Sequence, residues 1–402
     1  MGMRKDIDRI LAEKELSAML LYSESCKNTN IYYLTGFLAP DPFIFLKKVD
    51  EDPLMVVSQM ELSRAREESI IKNVRSYADY GYAEIVKSSS DPKIGGMKFV
   101  AAVVKKELGT GKSIYVPPSF PVMLTDVLRD EGLKIVPVFD VVEKARETKE
   151  PAEIEAIRYV QKTVEEATSK AIELIARAEV GANGTLFYRE GGKKEPLVVG
   201  KVRAVFDHVF ADRGCVAAEE TIVACGPKSA FPHYSGDAGD VLKANQPIVL
   251  DVFPRSVKKR YVSDMTRTIV KGRASRAVKR MFETVLQTRG ALLDAVKAGV
   301  LGSKMQELCY DMFEKAGYQT VKGGKKISKG YLHSIGHGVG LDVHEGPSMG
   351  EFSKYPLEEH NVVAVEPGLY DPDVGGMRIE DIVEVTKKGC SNLTKMDICL
   401  EV

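Results

Sequence analysis

Two aspartates, Asp251 and Asp264, stand inside apolar, strand-like runs in the segment PIVLDVFPRSVKKRYVSDMTRTIV, and this constrains the fold more than any other feature. A carboxylate in the middle of a buried strand is costly unless it is paired or holds a cation. The two runs flank a basic, turn-like stretch, so the segment reads as a β-hairpin. If the hairpin closes symmetrically near Val257 and Lys258, the two aspartates face each other across the strands. Cross-strand neighbours on one face lie about 5 Å apart, close enough to share a cation cluster. The plainer alternative for either residue is a turn cap or a pairing with Arg267.

Other candidate ligands follow downstream. HSIGHGVGLDVHE, from His333 to Glu345, carries three of the six histidines of the chain, interleaved with Gly336, Gly338 and Gly340. Glycines there permit tight turns and close backbone approach. Glu366, in VVAVEPGLY, follows an apolar run and precedes a Pro-Gly turn. In MRIEDIVEVT, strand alternation puts Arg378 and Glu380 on one face and Ile379 and Val383 on the other. Alone, Glu380 reads as a salt-bridged strand residue, and so do Asp381 and Glu384. Taken together, two Asp, two Glu and at least one His beside strands make an oxygen-rich set with an imidazole. Such a set suits Mn²⁺, Co²⁺, Fe²⁺ or Zn²⁺. Five ligands exceed the roughly three of a single catalytic zinc site. They fit two ions about 3.5–4 Å apart, bridged by carboxylates.

Composition removes several rival classes. The 57 basic and 57 acidic residues among 402 balance, which speaks against coating nucleic acid or docking on an anionic membrane. No apolar run approaches the roughly 20 residues of a membrane span. The opening MGMRKDIDRI lacks an apolar signal core, and Asp6 speaks against myristoylation at Gly2. Six scattered cysteines with no CxxC pair read as reduced thiols in a cytoplasmic protein.

The first third alternates helical and extended patterns. Arg4 to Leu16 sets Ile7, Ile10 and Leu11 on one helical face, and AMLLY, PFIFL, PLMVV, SIYVP and KIVPVF read as strands. FVAAVVKKEL and VMLTDVLRDEG read as helices, giving an α/β domain over residues 1–143. A long amphipathic helix opens at Pro151, with Glu150 and Glu153 near its positive end. It belongs to a second, α+β domain over residues 144–402, with further helices near Ser275–Lys297 and Ser303–Ala316.

The ordered motifs Asp251, SD-x-TRT, H-x-x-GHG-x-GL-x-x-HE, EPG and RIED resemble prolidase and aminopeptidase P of the pita-bread metallopeptidase superfamily. ILAEKELSAMLLYS…TNIYYLTGF resembles the creatinase/prolidase N-terminal domain, and RETK…EIEAIR the junction that follows it. The resemblance implies an α/β N-terminal domain, an α+β pita-bread catalytic domain and hydrolysis of the Xaa-Pro bond in small peptides. It implies metal ligands at Asp251, Asp264, His337, Glu366 and Glu380, with Asp264 and Glu380 bridging two ions, Mn or Co foremost. Glu366 doubles as proton shuttle. His233 and His344 lie at the substrate, His333 contacts substrate or intermediate, and Arg378 stands near the bridging glutamate. A homodimer is also implied.

The chain departs from the pattern at DVF, where the family usually has DxG, and at a hairpin separation of thirteen residues where eleven is usual. The extra pair falls in the basic turn PRSVKKR and preserves the strand face. The segment 191–214 has no counterpart. Rival readings are a metal-independent creatinase-like amidinohydrolase and a non-catalytic pita-bread binding module. Both are disfavoured by five intact ligand positions.

Overall fold

The apolar runs of the first third form one mixed sheet in the computed structural model, which describes residues 6–402. The readings made of the first five residues, on signal and acylation, lie outside that range. The strands are β1 (Ala18–Ser23), β2 (Phe43–Lys48), β3 (Leu54–Val57), β4 (Asn73–Ser76), β5 (Ser113–Val116) and β6 (Lys134–Pro137), in the order β4-β3-β2-β1-β5-β6. β1 pairs antiparallel with β2 and parallel with β5. Met19, Leu21, Phe43 and Phe45 pack into one core, and Ala18, Leu20, Ile44 and Leu46 into another. Burial on both faces makes these strands continuous apolar runs rather than alternating ones. The helix expected over Arg4–Leu16 is described as Asp6–Glu13, with Ile7, Ile10 and Leu11 buried.

Two compact units result, Met1–Arg146 and Glu147–Val402. The short helix Val142–Glu147 runs through the expected 143/144 boundary. Beyond it the helix Pro151–Ala176 starts with proline in its first turn and a reciprocal Glu150–Glu153 capping box.

The second unit contains β7 (Glu179–Val180), β8 (Leu186–Glu190), β9 (Lys193–Pro196), β10 (Cys215–Ala217), β11 (Ile222–Cys225), β12 (Pro247–Val252), β13 (Pro254–Ser256) and β14 (Met265–Val270). They are followed by β15 (Val362–Val365), β16 (Gly368–Asp371), β17 (Gly375–Arg378), β18 (Asp381–Val385) and β19 (Cys390–Asn392). The sheet β11-β12-β14 carries the hairpin, and β15-β18-β19 and β16-β17 carry the C-terminal motifs. Helices at Arg276–Ala295 and Gly302–Lys315 lie close to their expected spans. The segment 191–214 supplies β9 and the helix Val199–Asp212, on which His208 is exposed. No helix among the described residues is long and apolar enough to cross a membrane.

The hairpin register differs from the symmetric closure expected near Val257 and Lys258. Asp251 pairs with Thr266, not with Asp264. The pairing continues through an Arg255–Val262 bridge and a Ser256 N–H bond to Tyr261 O of 2.9 Å, so the turn is centred between Lys258 and Lys259. The reason is β13, which holds this arm of the hairpin against β10. The two aspartates remain on one face, as diagonal neighbours.

Candidate metal centre

Each acid arrives at the end of a strand. Asp251 lies in β12, Asp264 directly precedes β14, Glu366 follows β15, and Glu380 sits between β17 and β18. The His337 segment runs beside β15, with Ala364 N donating to His337 O at 2.8 Å and Glu366 N to Ile335 O at 3.0 Å. That contact brings His337 beside Glu366. Glycine is required where the loop folds back, since a Cβ on Gly338 would lie 1.9 Å from Gly346 O.

Ligand atoms of Asp264, His337 and Glu380 all lie within 4.8 Å of one another. His337 Nε2 is 3.6 Å from Glu366 Oε1 and 4.0 Å from Asp264 Oδ2. Its Nδ1 lies 3.1 Å from Gly338 O, which accepts the ring hydrogen and leaves the Nε2 lone pair facing the carboxylates. Asp251 accepts from Arg378 Nη2 at 2.5 Å and from Thr266 Oγ1 at 2.7 Å. Thr266 Oγ1 also lies 2.8 Å from Glu380 Oε2 and accepts from Arg378 Nε at 3.0 Å.

The electrostatics are those of crowded carboxylates with too little water around them. Burial, then repulsion from Glu380, Asp251 and Glu366, pushes the Asp264 carboxyl well above the usual range. Burial, with Glu366 and Asp251, does the same to Glu380. Burial pushes Glu366 up to about 8, with Arg378 opposing and Asp251 adding. His337 is held down to about 4 by burial and then by His344, so its ring is neutral at pH 7. Asp264 Oδ1 and Glu380 Oε1 are buried without any hydrogen-bond partner. Buried, unpartnered carboxylate oxygens beside a neutral imidazole fit divalent metal ions.

His333 has both ring nitrogens engaged. Arg378 Nη1 donates to Tyr370 Oη at 2.8 Å, and an arginine cannot accept. The Tyr370 hydrogen therefore goes to His333 Nε2 at 2.9 Å, leaving His333 Nδ1–H to donate to Ser334 O at 2.7 Å. Burial, then Arg378, holds His333 down to about 3, which keeps it neutral in this chain of bonds.

All the residues singled out in the sequence (Asp251, Asp264, His337, Glu366, Glu380, His233, His333, His344 and Arg378) line one cavity of ≈ 570 Å³. His233 and His344 are exposed at it, and the His344 ring centroid lies 4.2 Å from that of His337. Sequence reasoning missed Thr266 and Tyr370. Their only signals were a threonine inside SD-x-TRT and a tyrosine shortly after EPG. Asp381, read as an ordinary strand acid, is fully buried and bonded to Arg267 at 2.9 Å, to Arg289 and to Asn392 at 2.8 Å. Arg267 in turn donates to Glu380 O at 2.7 Å, which fixes the backbone of that acid.

Residues 155–387, more than half of the chain, match metallopeptidase family M24. The chain belongs to that family. Residues 3–148 match the creatinase/prolidase N-terminal domain. This M24 chain is 28% identical to the Xaa-Pro dipeptidase of Pyrococcus horikoshii over 396 residues, 98% of this chain and 97% of that protein. The solved prolidase structure from Pyrococcus horikoshii superposes with a TM-score of 0.76 at 26% identity, covering 98% of this chain and 99% of that one. The fold is shared with an Xaa-Pro dipeptidase from Bacillus anthracis at a TM-score of 0.80 and 23% identity, covering 99% of each chain. The expected architecture, an α/β N-terminal domain before an α+β pita-bread domain, is borne out. Membership of a metallopeptidase family makes divalent metal ions its cofactors and peptides its substrates.

Proposed function

We propose that this chain hydrolyses the bond between Xaa and proline in small peptides, using two divalent ions, Mn²⁺ or Co²⁺ foremost. The observation that carries this reading is the convergence of four carboxylates and a neutral imidazole, two carboxylate oxygens being buried and unpartnered. Asp264 and Glu380 would span both ions, Asp251 would complete one, and His337 with Glu366 the other. When bound, the ions supply Lewis-acid polarisation of the scissile carbonyl and activation of water.

The residues of the chain do the rest. Glu366, partly buried beside His337, takes and returns the proton of the attacking water. His344, exposed at the cavity, donates to the oxygen that becomes negative. His333 has no N–H left for substrate, so its part is to fix Tyr370 and Arg378, and through Arg378 the Asp251 carboxylate. His233 covers the substrate from the facing loop. Ile222, Phe253 and Val343 give an apolar wall for a proline ring. A creatinase-like amidinohydrolase or a binding module needs none of this ligand set. Free thiols at Cys215, Cys225, Cys309, Cys390 and Cys399 support a reducing, cytoplasmic setting. The homodimer that the resemblance implies is checked by light scattering.

Asp251→Asn is expected to lower metal content at one of the two positions and to remove most activity, because the amide leaves Arg378 without its counter-charge. Elemental analysis of the purified variant checks it, and two ions retained at full activity would remove Asp251 from the ligand set.

Substrate choice is tested with a panel of Met-Pro, Met-Ala, Xaa-Pro-Xaa tripeptides and creatine, assayed with Mn²⁺ and Co²⁺. Cleavage of Met-Pro well above Met-Ala is expected. Cleavage of the dipeptide alone indicates a prolidase, and of the longer peptides an aminopeptidase P. Equal rates on Met-Ala and Met-Pro defeat the proline reading, and turnover of creatine alone overturns the peptidase. Arg-Pro and Glu-Pro extend the panel. Glu219 is exposed at the cavity with no ion pair among the described residues, whereas Arg203 neutralises Glu220 beside it at 2.7 Å. Arg-Pro is therefore expected to be the better of the two.

A further inference from the structure

The junction RETKEP contributes a buried cation that the proposed chemistry does not use. Lys149 Nζ, on a side chain 1% exposed, lies 2.8 Å from Glu345 Oε1 and donates to Glu147 O at 3.2 Å. The other Glu345 oxygen, Oε2, accepts from the backbone N–H groups of Leu341 at 3.1 Å and Asp342 at 3.3 Å. The carboxylate lies against Gly340, where a Cβ would come within 2.3 Å of Glu345 Oε1. Glu345 is also paired with Gly338 through backbone bonds of 2.9 and 3.0 Å in both directions.

This arrangement closes the loop whose two ends are the histidines. His337 directly precedes Gly338, and His344 directly precedes Glu345. Their ring centroids are 4.2 Å apart, one ring facing the acid cluster and the other exposed at the cavity. Neither Lys149 nor Glu345 lines that cavity. A carboxylate that caps two amides can swing about its side-chain torsions, and a buried ammonium on its far oxygen removes that freedom.

We infer that Lys149 is a positioning residue that sets the spacing of His337 and His344 by clamping the Glu345 carboxylate across the turn between them. The inference rests on the proposed roles of those two histidines, but the geometry it concerns is measurable without turnover. Partners that orient a metal-binding histidine are worth roughly 10–100-fold in metal affinity or activity.

Lys149→Met keeps the chain length and removes the charge. In folded protein it is expected to shift the ring ¹⁵N and ¹H signals of His337 and His344, while those of His208, exposed and outside the cavity lining, stay in place. Co²⁺ affinity is expected to fall about 10-fold and kcat about 10–100-fold, with KM within about 3-fold. Lys149→Met/Glu345→Gln, which removes both charges of this pair and keeps a carbonyl oxygen for the two amides, is expected to recover most of the lost Co²⁺ affinity. If Lys149→Met does not fold, Glu345→Gln is the second variant, expected to shift the same two histidines by a smaller amount and to lower Co²⁺ affinity about 3-fold. Unmoved His337 and His344 signals in either folded variant overturn the inference, and so does a double variant as weak in Co²⁺ as Lys149→Met. If the wild-type protein fails to cleave Xaa-Pro peptides, the proposed activity falls while the histidine signals still decide the clamp.

Discussion

Glu366→Gln is expected to lower kcat at least about 100-fold in protein reloaded with metal, the low end for loss of general acid–base catalysis. Glutamine keeps the shape of the side chain and one oxygen that can face a cation, but it cannot accept and return a proton. Glu366 suits that task because of its surroundings. Burial raises its proton affinity, Arg378 opposes that effect, and His337 Nε2 lies 3.6 Å away. A bound cation would draw the proton affinity back down from that raised level. The assay is steady-state turnover of Met-Pro with metal content measured on the same sample. Near-normal kcat in a variant holding both ions would assign the proton to another group.

Chelation is expected to abolish activity, with Mn²⁺ or Co²⁺ restoring it. It should also change the pH dependence of stability in a direction fixed by the acid cluster. Glu366 has an ordinary value of 4.5 and is pushed up to about 8 in the folded chain. Between those values the folded state keeps a proton that the unfolded state has released. Stability of the chelated protein therefore falls as pH rises through that window. Asp264 and Glu380, raised by burial and by their neighbours, act in the same direction. Cations offset the repulsion, and a cation at about 1,000 times its Kd adds roughly 4 kcal/mol. Melting temperatures of chelated protein at pH 5 and pH 8, with and without Mn²⁺, test this. An equal melting temperature at both pH values without metal would mean that the carboxylates are not raised, and full activity without metal would sink the dinuclear centre.

Much of this site was legible in the sequence because its residues break local rules. Acids inside apolar strands and histidines packed among glycines are expensive arrangements, and a chain keeps them where they bind something. What was not legible depends on pairing across the sheet. The Asp251–Thr266 register turns on β13 lying against β10, and nothing in PRSVKKR announces that contact. Tyr370 looks like an ordinary strand aromatic until Arg378 and His333 are seen to converge on its hydroxyl. In the first domain the apolar runs were plain, but β4, with the sequence NVRS and Val74 as its one apolar side chain, carries no periodic signal.

The fully buried Asp381 has a consequence for how this sequence can change over generations. Two arginines, Arg267 and Arg289, share its one negative charge. Losing Asp381 strands the Arg267 charge in the interior, at about 3–5 kcal/mol, whereas losing one arginine leaves the other to balance the carboxylate. A lineage changing one residue at a time therefore meets its steepest barrier at Asp381, and the arginines are individually more replaceable. Arg267 also grips the Glu380 carbonyl, so its replacement still disturbs the acid cluster. Asp381 should therefore be kept wherever either arginine is kept, while the exposed hairpin tip around Val257 drifts freely.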